Sequence, residues 1–126
     1  MRFVLLHSPL TGPSTWTPVA IELARRGIDA TRPVIPPIGD LTAPRYASAG
    51  QAVAAQILGQ GGPFVLAVHS GAGGLAPAVV AAAAGQIQAV LYVDAIPPHP
   101  GRNWFETASD MLGDSLKAKV VDGMVP

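Results

Sequence analysis

Phe64-Val65-Leu66-Ala67-Val68-His69-Ser70-Gly71-Ala72-Gly73-Gly74 is the stretch that decides the fold of this chain. Its first six residues form an apolar run without alternation, the pattern of a strand covered on both faces, and predict a strand over 64–69. Small residues follow at once, and 71–84 predicts a helix of small side chains ended by Gly85. A serine at such a junction is held on a sharp turn. Its hydroxyl projects from the top of the sheet, and the next N–H, that of Gly71, points to where an oxyanion would develop. The strict G-x-S-x-G form is not met, because Val68 and Ala72 stand in place of the two glycines. From these residues alone two readings stand: an exposed nucleophile at Ser70, or a glycine-rich turn that binds phosphate or packs closely.

Moving outward, 2–7 is a short apolar run ended by Ser8-Pro9, and predicts a first strand. Ser14 or Thr15 is placed to cap a helix running to about Arg26, with Trp16, Val19, Ala20, Leu23 and Ala24 on its apolar stripe and Gly27 at its end. A weaker strand is expected over 28–32. A second helix is expected over 44–59, with Ala47, Val53, Ala54, Ile57 and Leu58 inward. A fourth strand is expected over 89–94, closed by Pro97-Pro98. Helical patterns follow near 104–112 and 116–121, and Trp104, Phe105, Met111 and Leu112 read as one amphipathic helix. Strand and helix alternate along the chain. That order predicts an α/β fold with a parallel sheet and flanking helices, whose ligand site lies beyond the carboxyl ends of the strands. His7-Ser8, His69-Ser70 and Asp94 mark three such ends.

The 126 residues suit one domain, and with 13% charged and 49% hydrophobic residues the chain is not of a disordered type. Eight basic and eight acidic residues cancel, with no basic stripe, which argues against a nucleic-acid partner. The absence of cysteine excludes disulfides, zinc–thiolate sites and a cysteine nucleophile. No His/Asp/Glu spacing suggests a metal, no dinucleotide fingerprint is present, and no cofactor is implied. The most apolar stretch, 64–84, carries His69, Ser70, three glycines and Pro77, and does not read as a membrane span. With no signal-peptide pattern at the start, the expected location is cytoplasmic.

His7-Ser8-Pro9-Leu10-Thr11-Gly12 with Trp16, the His69-Ser70 elbow, and Leu91-Tyr92-Val93-Asp94-Ala95-Ile96-Pro97 together resemble the α/β-hydrolase superfamily. The likeness is to the N-terminal half of its fold, in the branch containing plant methylesterases and hydroxynitrile lyases. These matches run in order over nearly all of residues 2–101. The resemblance implies residues 1–100 as the N-terminal half of the hydrolase core, with about four strands in the spatial order second, first, third, fourth. Residues 101–126 would be the start of a cap or a helical tail, cut short near 122–126. It implies Ser70 as nucleophile, Gly71 N–H as one oxyanion donor and the 8–10 loop as the source of the other. Here Ser8 stands at the family's glycine position, and Pro9 stands where the family offers an N–H that proline lacks. Ser8 or Leu10 is left to supply it.

The family's acid and histidine normally lie well downstream, beyond this stretch. Within the chain, His99 is the one histidine after Ser70, and an exposed loop histidine is its commoner explanation. Asp94 ends a strand at the correct edge, although capping the next turn is the commoner role. His7, Pro9, His69 and Trp104 are expected around a small-molecule substrate, His7 and His69 also as structural residues. The resemblance leaves the strand at 89–93 as an apolar edge, so a partner is expected there: a second copy, or a complementary C-terminal chain that also carries the acid and histidine. The leading expectation is a serine hydrolase acting on an ester or other carbonyl substrate. The alternatives are lyase-type proton transfer on the same fold and a catalytically incomplete, ligand-binding or partner-dependent fragment.

Overall fold

A computed structural model describes residues 1–122. Four parallel strands, β1 (Arg2–Leu6), β2 (Ala30–Thr31), β3 (Phe64–Ser70) and β4 (Ile87–Ala95), form one sheet in the order β2-β1-β3-β4. This is the spatial order expected. Leu6 pairs with Val68, so the two His-Ser pairs follow at neighbouring strand ends. Helix α1 (Thr17–Arg25) covers one face, and α2 (Arg45–Ile57) and α3 (Ala76–Ala82) cover the other. Two short helices, α4 (Trp104–Thr107) and α5 (Asp110–Lys117), follow β4. Among the described residues, no helix is long and apolar enough to cross a membrane.

The apolar runs of β1 and β3 are buried because both faces of the sheet are packed there. Val4, Leu6, Leu66 and Val68 join Val53 and Ile57 of α2 and Val79 of α3, while Leu5 and Ala67 meet Trp16 on the α1 face. The alanine-rich composition of α3 has a direct cause. A Cβ on Gly50 of α2 would lie 2.6 Å from the Ala78 backbone, so the two helices touch at main-chain distance.

The boundaries correct several expectations. Neither Ser14 nor Thr15 caps α1; a 3₁₀ turn over Pro13–Trp16 leads into it without a side-chain cap. Helix α2 turns Ala49, Gly50, Val53, Ala54 and Ile57 inward, and Ala47 and Leu58 are exposed, because the axis is rotated to bring Gly50 against Ala78. The expected helix over 71–84 begins as a 3₁₀ turn, Gly71–Leu75. The amphipathic helix expected over 104–112 is two helices with separate caps. Ala108 is extended, Ser109 caps α5, and Met111 is 83% exposed. Residues 123–126, where the expected cap breaks off, lie outside the described residues.

Strand β4 is unlike its neighbours. Leu91, Tyr92 and Val93 are 47%, 45% and 41% exposed. The register pairs Ala67 with Leu91 and His69 with Val93, placing both apolar side chains on the α1 face beyond the helix. Its outer edge has no strand partner among the described residues.

Candidate active site

The end of β3 is a strained turn. Ser70 has φ 53° and ψ −126°, a conformation that side chains with a Cβ rarely adopt. The strain persists because the surroundings over-determine it. Ile96 N–H donates to the Ser70 carbonyl at 3.0 Å, and Gly73 lies so close to the Ile96 carbonyl that no Cβ fits there. The first residues after the turn, Gly71 to Gly73, are buried. The Ser70 hydroxyl is bonded to nothing among the described residues, and no imidazole reaches it.

The end of β1 is held differently. His7 is 2% exposed, and its Nε2 accepts the Ile35 N–H at 3.1 Å. That places the ring proton on Nδ1, which donates to the Ser8 carbonyl at 2.7 Å. Both ring nitrogens are therefore engaged. Leu10 N–H donates to Ser8 Oγ at 3.2 Å, which leaves the Ser8 hydroxyl proton available to another acceptor.

The two ends meet at Gly71. A Cβ built there would lie 3.1 Å from Trp104 Nε1, 3.4 Å from Ser8 Oγ and 3.5 Å from Pro9 Cδ. These groups open on one cavity of about 220 Å³, whose remaining wall is Leu10, Ile38, Tyr46, Leu75, Phe105 and Leu116. Of the residues expected around a substrate, the structure brings together Ser8, Pro9, Leu10, Gly71 and Trp104, beside Ser70. His69 points to the other face of the sheet, edge-on to Trp16 at 6.1 Å between ring centroids, with its Nδ1 buried and unbonded. His99 is exposed and lines a neighbouring cavity of about 340 Å³. Tyr46 and Trp104 line both cavities and so stand between His99 and Gly71. Asp94 is the extra residue of a β-bulge, at φ 45°, because His69 pairs with Val93 and Ser70 with Ala95. Its carboxylate is exposed and makes no hydrogen bond among the described residues, so it does not cap the following turn. No group of three metal-binding side chains occurs among the described residues.

Sequence reasoning missed Tyr46, Ile38 and Leu116 in the cavity wall. Tyr46 precedes Ala49 and Gly50 by three and four residues, so the helical period puts it on the rim of the buried face of α2. Burial raises its phenol pKa above the ordinary value of 10.0.

The comparisons with known proteins bear on this geometry. A solved extracellular α/β-hydrolase from a Paenibacillus species superposes with a TM-score of 0.80 over 94% of this chain, at 19% sequence identity. That protein is described as sharing structural and functional homology with tobacco salicylic acid binding protein 2. This chain has an α/β-hydrolase fold. It spans 50% of that protein's length, so the fold seen here is part of the larger one. No protein-family model matches the chain, and no curated protein matches it. In this sheet β3, which ends at the Ser70 turn, lies between β1 and β4.

Proposed function

We propose that this chain carries the nucleophile half of a serine hydrolase acting on esters or related carbonyl compounds. One observation supports the reading above the others: a serine at φ 53° between a fully covered strand and Gly71-Ala72-Gly73-Gly74. A turn that merely packs or binds phosphate has no need of a strained side chain there. In this reading Ser70 Oγ attacks the carbonyl carbon as its proton passes to an imidazole base. The carbonyl electron pair moves to the oxygen, which accepts a hydrogen bond from Gly71 N–H. Collapse expels the alcohol and leaves an acyl-enzyme, which water then hydrolyses. Labelling with a fluorophosphonate tests this. Labelling that is lost in Ser70→Ala supports an activated nucleophile. A well-folded sample that never labels, even with the segment that carries the base present, refutes it and favours ligand binding.

The base and its acid must come from residues that approach the strand ends. His7 is engaged at both nitrogens, His69 faces away, and Tyr46 and Trp104 stand between His99 and Gly71. We propose that a complementary C-terminal segment supplies both and adds parallel strands to the edge of β4. Two observations support this: the exposed apolar side chains of β4, and a structural neighbour twice as long as the stretch matched. Light scattering on the 126-residue chain should then show self-associated material, because the edge is uncovered. A stable monomer overturns the proposal, and a discrete dimer indicates a second copy as the occupant.

A further inference from the structure

An oxyanion formed at Ser70 requires donors, and beyond the Ser8 hydroxyl the β1 loop is poor in them. Pro9 has no N–H, and the Leu10 N–H is already bonded to Ser8 Oγ. A donor approaches instead from α4. Its start is fixed by a capping box in which Asn103 Oδ1 accepts the Glu106 N–H at 3.1 Å and Glu106 Oε2 accepts the Asn103 N–H at 2.6 Å. The Phe105 ring stands edge-on to the Trp104 indole, 5.3 Å between centroids at 86°, and limits its swing. The hydrogen bonds at Trp104 run to its carbonyl, from Thr107 Oγ1 and Ala108 N, both at 2.9 Å. The indole N–H has no acceptor among the described residues. Its nitrogen sits 3.1 Å from where a Cβ on Gly71 would lie, in the wall of a mostly apolar cavity, and is free to donate to a ligand bound there.

On the nucleophile reading of Ser70, we propose that Trp104 Nε1–H is the second oxyanion donor, standing in for the amide that Pro9 lacks. Gly71 N–H and Trp104 Nε1–H grip the same oxygen as the Ser70 Oγ–C bond forms and the carbonyl electron pair moves onto it. The indole keeps its proton throughout. The cap helix thereby becomes part of the catalytic machinery, and the oxyanion hole is complete only when α4 is seated.

A fluorophosphonate places its P=O oxygen where the carbonyl oxygen would lie, so its labelling rate reads the donors directly. Trp104→Phe should label about 10²-fold more slowly than the wild type, the usual cost of one lost oxyanion donor. Far-UV circular dichroism shows whether the variant folds. Benzothienylalanine at position 104 keeps the bicyclic ring, replaces N–H by sulfur, and should slow labelling equally without disturbing packing. In the labelled wild type, the indole proton resonance of Trp104 should move downfield while that of Trp16 stays in place. Wild-type labelling rates in both variants overturn the proposal and leave Ser70 as a nucleophile. A wild type that never labels with the base-carrying C-terminal segment present overturns the nucleophile reading, and this proposal with it.

Discussion

β1 leads into His7-Ser8, and β3, its hydrogen-bonded neighbour, ends on His69-Ser70. At the first end both polar side chains are bonded. His7 bonds through both nitrogens, Ser8 Oγ accepts from Leu10 N–H, and the Ser8 carbonyl also accepts from Thr11 N–H and Thr11 Oγ1. At the second end His69 Nδ1 is buried without a partner, the Ser70 hydroxyl is unbonded, and the serine backbone is strained. The same two residue types thus give a satisfied scaffold in one place and an unsatisfied, pre-shaped turn in the other. Unmatched polar groups and strain persist where a function offsets them, and their concentration at the end of β3 marks it as the reactive one.

Exchanging each histidine for leucine should give the largest contrast. His7→Leu leaves the Ile35 N–H without its partner and takes one of three bonds from the Ser8 carbonyl, and should cost about 1–3 kcal/mol of stability. His69→Leu removes a buried nitrogen that has no partner, and should be neutral or stabilising by up to about 1 kcal/mol. Urea denaturation midpoints of the two variants against the wild type measure both. Equal destabilisation would break the comparison between the two ends, because it would mean that His69 is bonded as fully as His7.

The contrast between the two ends also sets how much was legible in the sequence. The strands β1 and β3 were readable because both faces are covered, and continuous apolar runs have no other economical use in a chain this short. The strand order and the turn at Ser70 followed from the resemblance of three segments. The 3₁₀ turns did not, since Pro13 and Gly71-Ala72-Gly73 suit the start of an α-helix equally well. The split between α4 and α5 was written in Asn103-x-x-Glu106 and in Ser109, two capping signals overridden by the apolar spacing of Trp104, Phe105, Met111 and Leu112. The wall of the cavity was least legible. Ile38, Tyr46 and Leu116 come from three separate segments, and only their packing puts them opposite Gly71.

Tyr46 offers the smallest and most selective test of the difference between the two ends. It lies on the β3 side: a Cβ on Gly74, just past the Ser70 turn, would be 3.5 Å from its hydroxyl. Burial raises its pKa, so the folded chain holds the phenol proton to higher pH than the unfolded chain does. Below the unfolded value of about 10 both states are protonated and the group contributes no pH dependence. As pH rises past that value, the unfolded phenol ionises first, and stability falls until the folded phenol titrates as well. Tyr46→Phe should therefore flatten part of the loss of stability between neutral and strongly alkaline solution, and leave stability at neutral pH nearly unchanged. Urea midpoints on either side of about pH 10 measure it. Identical alkaline slopes in variant and wild type would show that water already reaches the phenol, and that the cavity beside the strained end of β3 is as wet as the surface.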